Sequence, residues 1–172
     1  THGRSGVRRA MLGSIAEQIL RSAEVPVMLV AGEARPHLPL RSGGHYERIL
    51  VALDDSETSR RAFEYALTLA RTHGALLRVV HVLDLPGPFL AGFDPEPLLD
   101  AVRAVGEQVR SWATKKLHEA GVPGEIEMRE IQPVGEGVAD QIIAAGKDAD
   151  VNVIVLGTHG RRGFRRFTLG SV

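Results

Sequence analysis

The sequence predicts an α/β fold, a parallel, doubly wound sheet of five strands with helices on both faces. Short apolar runs typical of buried strands alternate along the chain with longer segments in which apolar residues recur at helical spacing. Parallel neighbours need crossover connections, and the predicted helices supply them. A composition of 44% hydrophobic and 24% charged residues indicates a compact domain with a single core.

Charge and cysteine content exclude several classes of protein. With 21 basic and 21 acidic residues the formal charge is zero, so no long-range field favours nucleic acid or an anionic membrane. The absence of cysteine excludes disulfides and thiolate metal sites. No apolar run reaches the roughly 18 residues of a membrane span, and the start shows no signal-peptide pattern. We therefore expect a cytoplasmic protein that binds neither nucleic acid nor membrane.

The first 46 residues predict a helix, a strand and a linker. Ser14 is placed to cap a short helix whose apolar residues recur at helical spacing. Pro26 then introduces Val27–Val30, a continuous apolar run typical of a strand covered on both faces. From Ala31 to Tyr46 the chain is rich in proline, glycine and polar residues, which indicates a linker.

The rest of the chain alternates strands and helices. The predicted elements are a buried strand at 49–53, a helix traced by apolar residues from Ala62 to Ala70 that ends at Gly74, a strand at 75–82, a long amphipathic helix across 102–117, an alternating and more exposed strand at 126–131, a short helix at 138–145 and a buried strand at 151–156. A loop at 83–97, with four prolines and two glycines, separates the second strand from the long helix. Such loops often cover ligands.

A loop rich in glycine and arginine follows the last predicted strand, starting at Gly157. Glycines let successive amides converge on an anion, and the loop has four arginines and no acidic residue, namely Arg161, Arg162, Arg165 and Arg166. This is what a bound phosphate needs, although we expect at least two of these arginines to be solvated surface.

The same loop also occurs at the start of the chain. Residues 1–14 match residues 158–171 at ten of fourteen positions, including every glycine and the closing Gly-Ser. The sequence therefore predicts pieces of two related units. Residues 1–31 would be the last loop, helix and strand of one domain, 32–46 a linker, and 47–172 a domain that lacks its last helix and strand.

Three candidate features follow predicted strands: the turn Asp54-Asp55-Ser56, the loop after Val82 and the loop at Gly157. Because the carboxyl ends of parallel strands meet at one edge of a sheet, we expect these features to converge there, where doubly wound folds bind ligands.

These residues resemble the universal stress proteins. Gly157, Gly160, Gly170 and Ser171 have the spacing Gly, two residues, Gly, nine residues, Gly and Ser or Thr that follows the fourth strand in the ATP-binding branch of that family. The run from Ile49 to Ser56 looks like the family's first strand with its acidic residue and serine, and Val80-His81-Val82 looks like the second. The resemblance covers Tyr46 to Val172, and Thr1 to Val30 resembles the closing loop, helix and fifth strand.

The resemblance implies a Rossmann-like, adenine-nucleotide-binding fold with ATP as the ligand, with or without magnesium. Asp54, beside Ser56, would hydrogen-bond the ribose, and the backbone around Ala52 and Val82 would hold the adenine. Gly157, Gly160, Gly170 and Ser171 would take the triphosphate. Because the helix that should follow Ser171 is missing, Gly13 and Ser14 of the N-terminal copy are the alternative helix end, and the sequence leaves open which copy binds phosphate.

The resemblance also implies a regulatory stress-response protein with at most weak ATPase activity and no catalytic residues. A homodimer is expected, and the duplicated loop favours exchange of the N-terminal segment. The main alternative is a dimerising interaction module of the branch that does not bind nucleotide. A nucleotide-dependent enzyme is the third interpretation, but phosphate-loop, dinucleotide and esterase motifs are absent.

Structural interpretations compete with these roles at single residues. Asp54 and Ser56 are also residues that cap a helix. His81, inside a predicted strand, is expected to be a core or edge histidine, because no second ligand has metal-binding spacing, and Trp112 is expected in the core.

Overall fold

A computed structural model of the chain describes residues 19, 27, 44–83, 96–131 and 137–157. The chain forms two compact units, Thr1–Pro36 and His37–Val172. In the first unit Ile19 is helical, within the helix predicted from Ser14, and Val27 lies outside any strand. The other residues of that predicted helix and of the predicted strand Val27–Val30 lie outside the described residues.

In the second unit the described residues form four strands and three helices. They are β1 (Arg48–Ala52), α1 (Glu57–His73), β2 (Leu76–Leu83), α2 (Glu96–Ala120), β3 (Gly124–Glu130), α3 (Val138–Asp148) and β4 (Val153–Val155). All four strands are parallel, in the order β3-β2-β1-β4. The predicted parallel α/β class is confirmed. The number of strands in the described residues is four rather than the predicted five, because the fifth was assigned to 27–30, of which only Val27 is described.

The strand order reverses direction at β1. From β1 the chain crosses to β2 and then to β3 on one side, whereas β4 pairs with the other side of β1, with Leu50 beside Ile154. The neighbours of β1, which are β2 and β4, therefore lie on opposite sides of it. In doubly wound folds the ends of two such strands bound the crevice where ligands bind.

The two faces of the sheet follow from the alternation of side chains along β1 and β2. Ile49 and Val51 face α1 and α2, and they pack with the fully buried Phe63 of α1. Leu50 and Val80 face the other side and pack with Ala145 of α3. The described helices thus cover both faces, which is why the central strands are continuous apolar runs.

Two boundaries differ from the prediction for local reasons. Strand β4 begins at Val153 instead of Val151, because the side-chain oxygen of Asn152 accepts hydrogen bonds from the amides of Glu47 and Arg48 at the start of β1. Helix α2 begins at Glu96, since Pro97 falls in its first turn, where its missing N–H leaves no hydrogen bond unmade.

Candidate functional site

The turn between β1 and α1 is organised by the Asp54 carboxylate. Its Oδ1 accepts hydrogen bonds from the Ser56 amide at 3.1 Å and from the Ser56 hydroxyl at 2.6 Å. Ser56 is the N-cap of α1, and its Oγ accepts from the Ser59 amide at 3.2 Å. The capping interpretation is therefore correct for Ser56, and Asp54 supports that cap through its hydrogen bonds to Ser56. It also means that the Asp54 carboxylate is held at the first turn of a helix.

Ser59, which the sequence analysis did not single out, completes this turn. It is buried, its hydroxyl donates to the Ser56 carbonyl oxygen at 3.0 Å, and its Oγ accepts from the Asp54 amide at 3.2 Å. The position of Ser59, three residues after a serine N-cap, is the one sequence signal that could have indicated this role.

Gly157, two residues after the end of β4, lies against the first turn of α1. A Cβ added at Gly157 would come within 2.9 Å of the Thr58 carbonyl carbon and 3.0 Å of the Ser59 amide nitrogen, so a side chain does not fit there. The backbone of the predicted phosphate loop thus begins in contact with the helix that Ser56 caps. Two of the three predicted features therefore meet, and they meet at the reversal between β1 and β4.

The ends of β1 and β2 are joined through His81. The Leu53 amide donates to the Val80 carbonyl at 2.9 Å, and His81 Nδ1 lies 2.6 Å from the Leu53 carbonyl oxygen. A carbonyl oxygen only accepts, so this nitrogen carries the proton. His81 is buried, as expected for a core histidine. Its ring fixes the residue that precedes Asp54.

The remaining predicted site residues divide into two groups. Ala52 and Val82, predicted beside the adenine, are partly buried and pack against the core cluster on the α3 face. Gly160, Gly170, Ser171, Gly13 and Ser14 lie outside the described residues, as do residues 84–95 of the predicted covering loop.

Other parts of the described chain do not offer a better site. Two shallow grooves of about 720 and 330 Å³ lie along α2, and the smaller one also contacts the start of β3. Within the described ranges no three His, Asp or Glu side chains are grouped to hold a metal ion, and no helix has the length and apolar character of a membrane span. Arg129, whose pKa is raised by its hydrogen bond to Asp148, lies on β3, which β2 separates from the neighbouring strands β1 and β4.

The family model of the universal stress proteins matches residues 1–31 and 45–172. A crystal structure of a universal stress family protein from Burkholderia pseudomallei is 36% identical, with a TM-score of 0.62, over 69% of this chain and 86% of that one. Universal stress protein Rv1996 of Mycobacterium tuberculosis is 27% identical over 99% of this chain, which spans 51% of that longer protein.

Some structures in the family contain an adenine nucleotide. A family protein from Arabidopsis thaliana has AMP bound, and one from Archaeoglobus fulgidus is in complex with dAMP. Their TM-scores of 0.48 and 0.47 are too low to transfer a ligand to this chain. The family model, in contrast, spans most of the sequence, including β1, β4 and the turn at Asp54. The chain belongs to the universal stress protein family.

Proposed function

We propose that residues 47–172 bind an adenine nucleotide, with ATP favoured, and that the chain acts as a regulatory nucleotide binder of the stress response with at most slow hydrolysis. One observation carries the proposal: the Gly157 backbone meets the capped first turn of α1 at the reversal between β1 and β4. This is the position at which doubly wound sheets bind ligands.

The chemistry of this edge suits a nucleotide. A carboxylate such as Asp54 accepts hydrogen bonds from ribose hydroxyls, and such charge-assisted bonds are stronger than neutral ones. The amino end of α1 carries the positive end of the helix dipole, which favours phosphate. Because Gly157 has no side chain, the loop that follows it starts close to that helix end. Gly160, Gly170 and Ser171 would bind the phosphates, with Gly13 and Ser14 as the alternative helix end, and magnesium is an optional second component.

The domain organisation is part of the proposal. Residues 1–31 would be the closing loop, helix and strand of a universal-stress-type domain, 32–46 a linker, and 47–172 the part of a universal-stress-type domain that runs from its first strand to its phosphate loop. Two observations support this organisation. The family model matches residues 1–31 and 45–172 as separate segments, and the match to Rv1996 takes in 99% of this chain but only 51% of that longer protein. A homodimer in which the closing segment is shared remains a prediction from the sequence. A cytoplasmic location remains a prediction as well.

The alternative function is a dimerising interaction module that does not use a nucleotide. It is favoured by large apolar side chains that are exposed around α3 and β4, namely Val138, Ile143, Ile154 and Leu156. Exposed apolar surface of this kind marks association sites in soluble proteins.

Calorimetric titration of the full chain with ATP tests the proposal, with GTP as the matched control because it differs in the base alone. We expect ATP to bind and GTP to bind at least about tenfold more weakly, a difference of roughly 1.4 kcal/mol. Mass spectrometry of the denatured protein would detect a nucleotide retained through purification. No heat of binding for either nucleotide, together with a stable dimer, would leave the interaction module as the better interpretation.

A further inference from the structure

The residue between Asp54 and Ser56 has a left-handed backbone conformation. Asp55 has a φ of 69°, in the region that glycine adopts readily, that aspartate and asparagine adopt occasionally and that most other residues rarely adopt. Such a residue persists where its surroundings fix it. Because Asp54 and Ser56 flank it, the direction of the Asp54 carboxylate depends on what holds Asp55.

Arg60 of α1 holds this residue. Its Nε donates to Asp55 Oδ1 at 3.0 Å, and its Nη2 pairs with the same oxygen. The Arg60 and Asp55 side chains are 46% and 29% exposed, so the pair adds little to global stability. Two donors on one carboxylate oxygen nevertheless fix the direction of the aspartate side chain.

The other side of the Arg60 guanidinium lies over an aromatic ring. Its central carbon is 5.1 Å from the centroid of the Trp112 ring on α2, within the range of a cation–π contact. That ring in turn lies 5.0 Å from the ring of Phe63, which is fully buried in the core. A continuous series of contacts therefore runs from the core, through Trp112 and Arg60, to the turn that presents Asp54.

We infer that Arg60 is a positioning residue for the nucleotide site: it fixes the left-handed Asp55, and through it Asp54, by bridging the turn to Trp112. This inference rests on the proposed function and adds to it a specific side chain outside the ligand-binding positions. Arg60 acts here through Asp55, with no contact to the ligand. A direct contact between Arg60 and a phosphate is the competing account, and it predicts a different result when Asp55 is changed.

The test uses the full chain and the variants Arg60→Ala, Arg60→Lys, Asp55→Gly and the double variant Asp55→Gly/Arg60→Ala. Arg61→Ala is the matched control, since Arg61 is the next residue, is exposed and pairs with Glu57 on the same helix. Calorimetry measures ATP affinity. Fluorescence without ligand gives an independent readout, because Trp112 is the one tryptophan in the sequence.

We expect Arg60→Ala to weaken ATP binding about tenfold, within the usual coupling between residues in contact, and Arg60→Lys to restore part of the loss. Arg61→Ala should change affinity less than twofold, the size expected for an exposed pair. In the Asp55→Gly background, Arg60→Ala should have no further effect on ATP affinity. Arg60→Ala and Asp55→Gly should both shift Trp112 emission in the absence of nucleotide, whereas Arg61→Ala should not.

The outcomes separate the inference from the function on which it rests. If Arg60→Ala weakened ATP binding equally in the parent chain and in the Asp55→Gly background, Arg60 would contact the ligand directly. That result would overturn the inference alone. The inference alone would also be overturned if Arg60→Ala changed ATP affinity and Trp112 emission as little as Arg61→Ala does. No ATP binding by the parent chain would overturn the proposed function and the inference together.

Discussion

The Asp54 carboxylate has two tasks that can be separated by substitution. Oδ1 holds the Ser56 amide and hydroxyl, and the negative charge is the feature proposed to favour the ribose hydroxyls. Asp54→Asn keeps a side-chain oxygen for Ser56 but loses the charge. We expect it to keep most of its unfolding free energy while ATP binding weakens by roughly 1.5 to 3 kcal/mol, the value of a hydrogen bond to a charged group. Calorimetry and thermal denaturation measure the two quantities.

Asp54→Ala is the comparison for that variant. It removes both the charge and the acceptor for Ser56, so we expect the same loss of affinity plus about 1 kcal/mol of lost stability, the usual cost of a weakened helix cap. If Asp54→Asn bound ATP like the parent chain, Asp54 would be a structural residue of the turn and no part of the ligand site.

The close approach of Gly157 to α1 gives a second prediction at the residue scale. Gly157→Ala forces a methyl group to within 2.9 Å of the Thr58 backbone, which cannot rotate away. We expect a loss of about 1 to 3 kcal/mol of stability, as for overpacking elsewhere, and weaker ATP binding because the start of the loop is displaced. Chemical denaturation and calorimetry check the two effects.

Gly137→Ala is a suitable control for Gly157→Ala. Among the described residues, the nearest atom to a Cβ at Gly137 would be a carboxylate oxygen of Asp140, at 3.6 Å. The change should therefore cost about 0.5 to 1 kcal/mol, because alanine is a poorer N-cap than glycine. Equal destabilisation by the two substitutions would mean that the contact between Gly157 and α1 does not form in solution.

At the scale of elements, two glycines near β3, the exposed Gly124 and the buried Gly106, should differ in how well they tolerate alanine. At Gly124, the first residue of β3, a Cβ would lie 2.7 Å from the Leu77 carbonyl oxygen, which belongs to the sheet backbone. At Gly106 of α2 the nearest atom, also at 2.7 Å, is the flexible end of the Met128 side chain.

We therefore expect Gly124→Ala to cost more than Gly106→Ala. Met128 can move, and alanine regains about 1 kcal/mol of helix propensity at Gly106, whereas overpacking against backbone at Gly124 should cost about 1 to 3 kcal/mol. Equilibrium unfolding in urea measures both. The reverse order would contradict the packing of α2 on β3 that these distances describe.

The helices and strands of the described residues were largely predictable from the sequence. Buried parallel strands appear as continuous apolar runs, and Ser56 and Gly74 bound α1 as a serine N-cap and a left-handed C-cap should, so the order and type of the described elements were predictable. The start of β4 was not, because it depends on Asn152 bonding to the amides at the start of β1, more than a hundred residues away.

For the candidate site, the sequence could predict which residues meet but not the contacts that hold them. Strand ends follow from the apolar runs, so the meeting of Asp54, Ser56 and Gly157 at one edge could be inferred from topology alone. The contacts that hold the turn could not, because they join side chains of different elements: His81 with the Leu53 carbonyl, and Arg60 with Trp112. Neither pair has a spacing in the sequence that would reveal it.

At the scale of the whole molecule, the two outer strands of the described sheet differ in character. Strand β3 carries a network in which Arg78 pairs with Glu125 and Glu127, and Arg129 pairs with Glu127 and Asp148. Charges of this kind protect a sheet edge from pairing with another chain. Strand β4 has no charged residue, and Leu156 just beyond it is 55% exposed. Association is therefore expected on the β4 side.

This asymmetry leads to a prediction about assembly. If residues 14–30 complete a sheet beside β4, in their own chain or in a neighbour, the full chain should sediment as a dimer at micromolar concentration. Removing residues 1–36 should then expose the β4 edge, lower the melting temperature and cause concentration-dependent aggregation, because apolar surface and unpaired strand groups remain in water. Analytical ultracentrifugation and thermal denaturation of the two chains measure these effects.

Two charge substitutions make the test specific to one edge. Leu156→Lys places a charge beside β4 and should shift the chain towards monomer, since a lysine ammonium is costly to bury at an apolar contact. Glu130→Lys, at the exposed end of β3, changes charge on the opposite edge and should leave the sedimentation coefficient unchanged. A dimer that survives Leu156→Lys but dissociates with Glu130→Lys would place the interface at β3. A monomeric full chain whose stability is unaffected by removal of residues 1–36 would contradict the shared closing segment altogether.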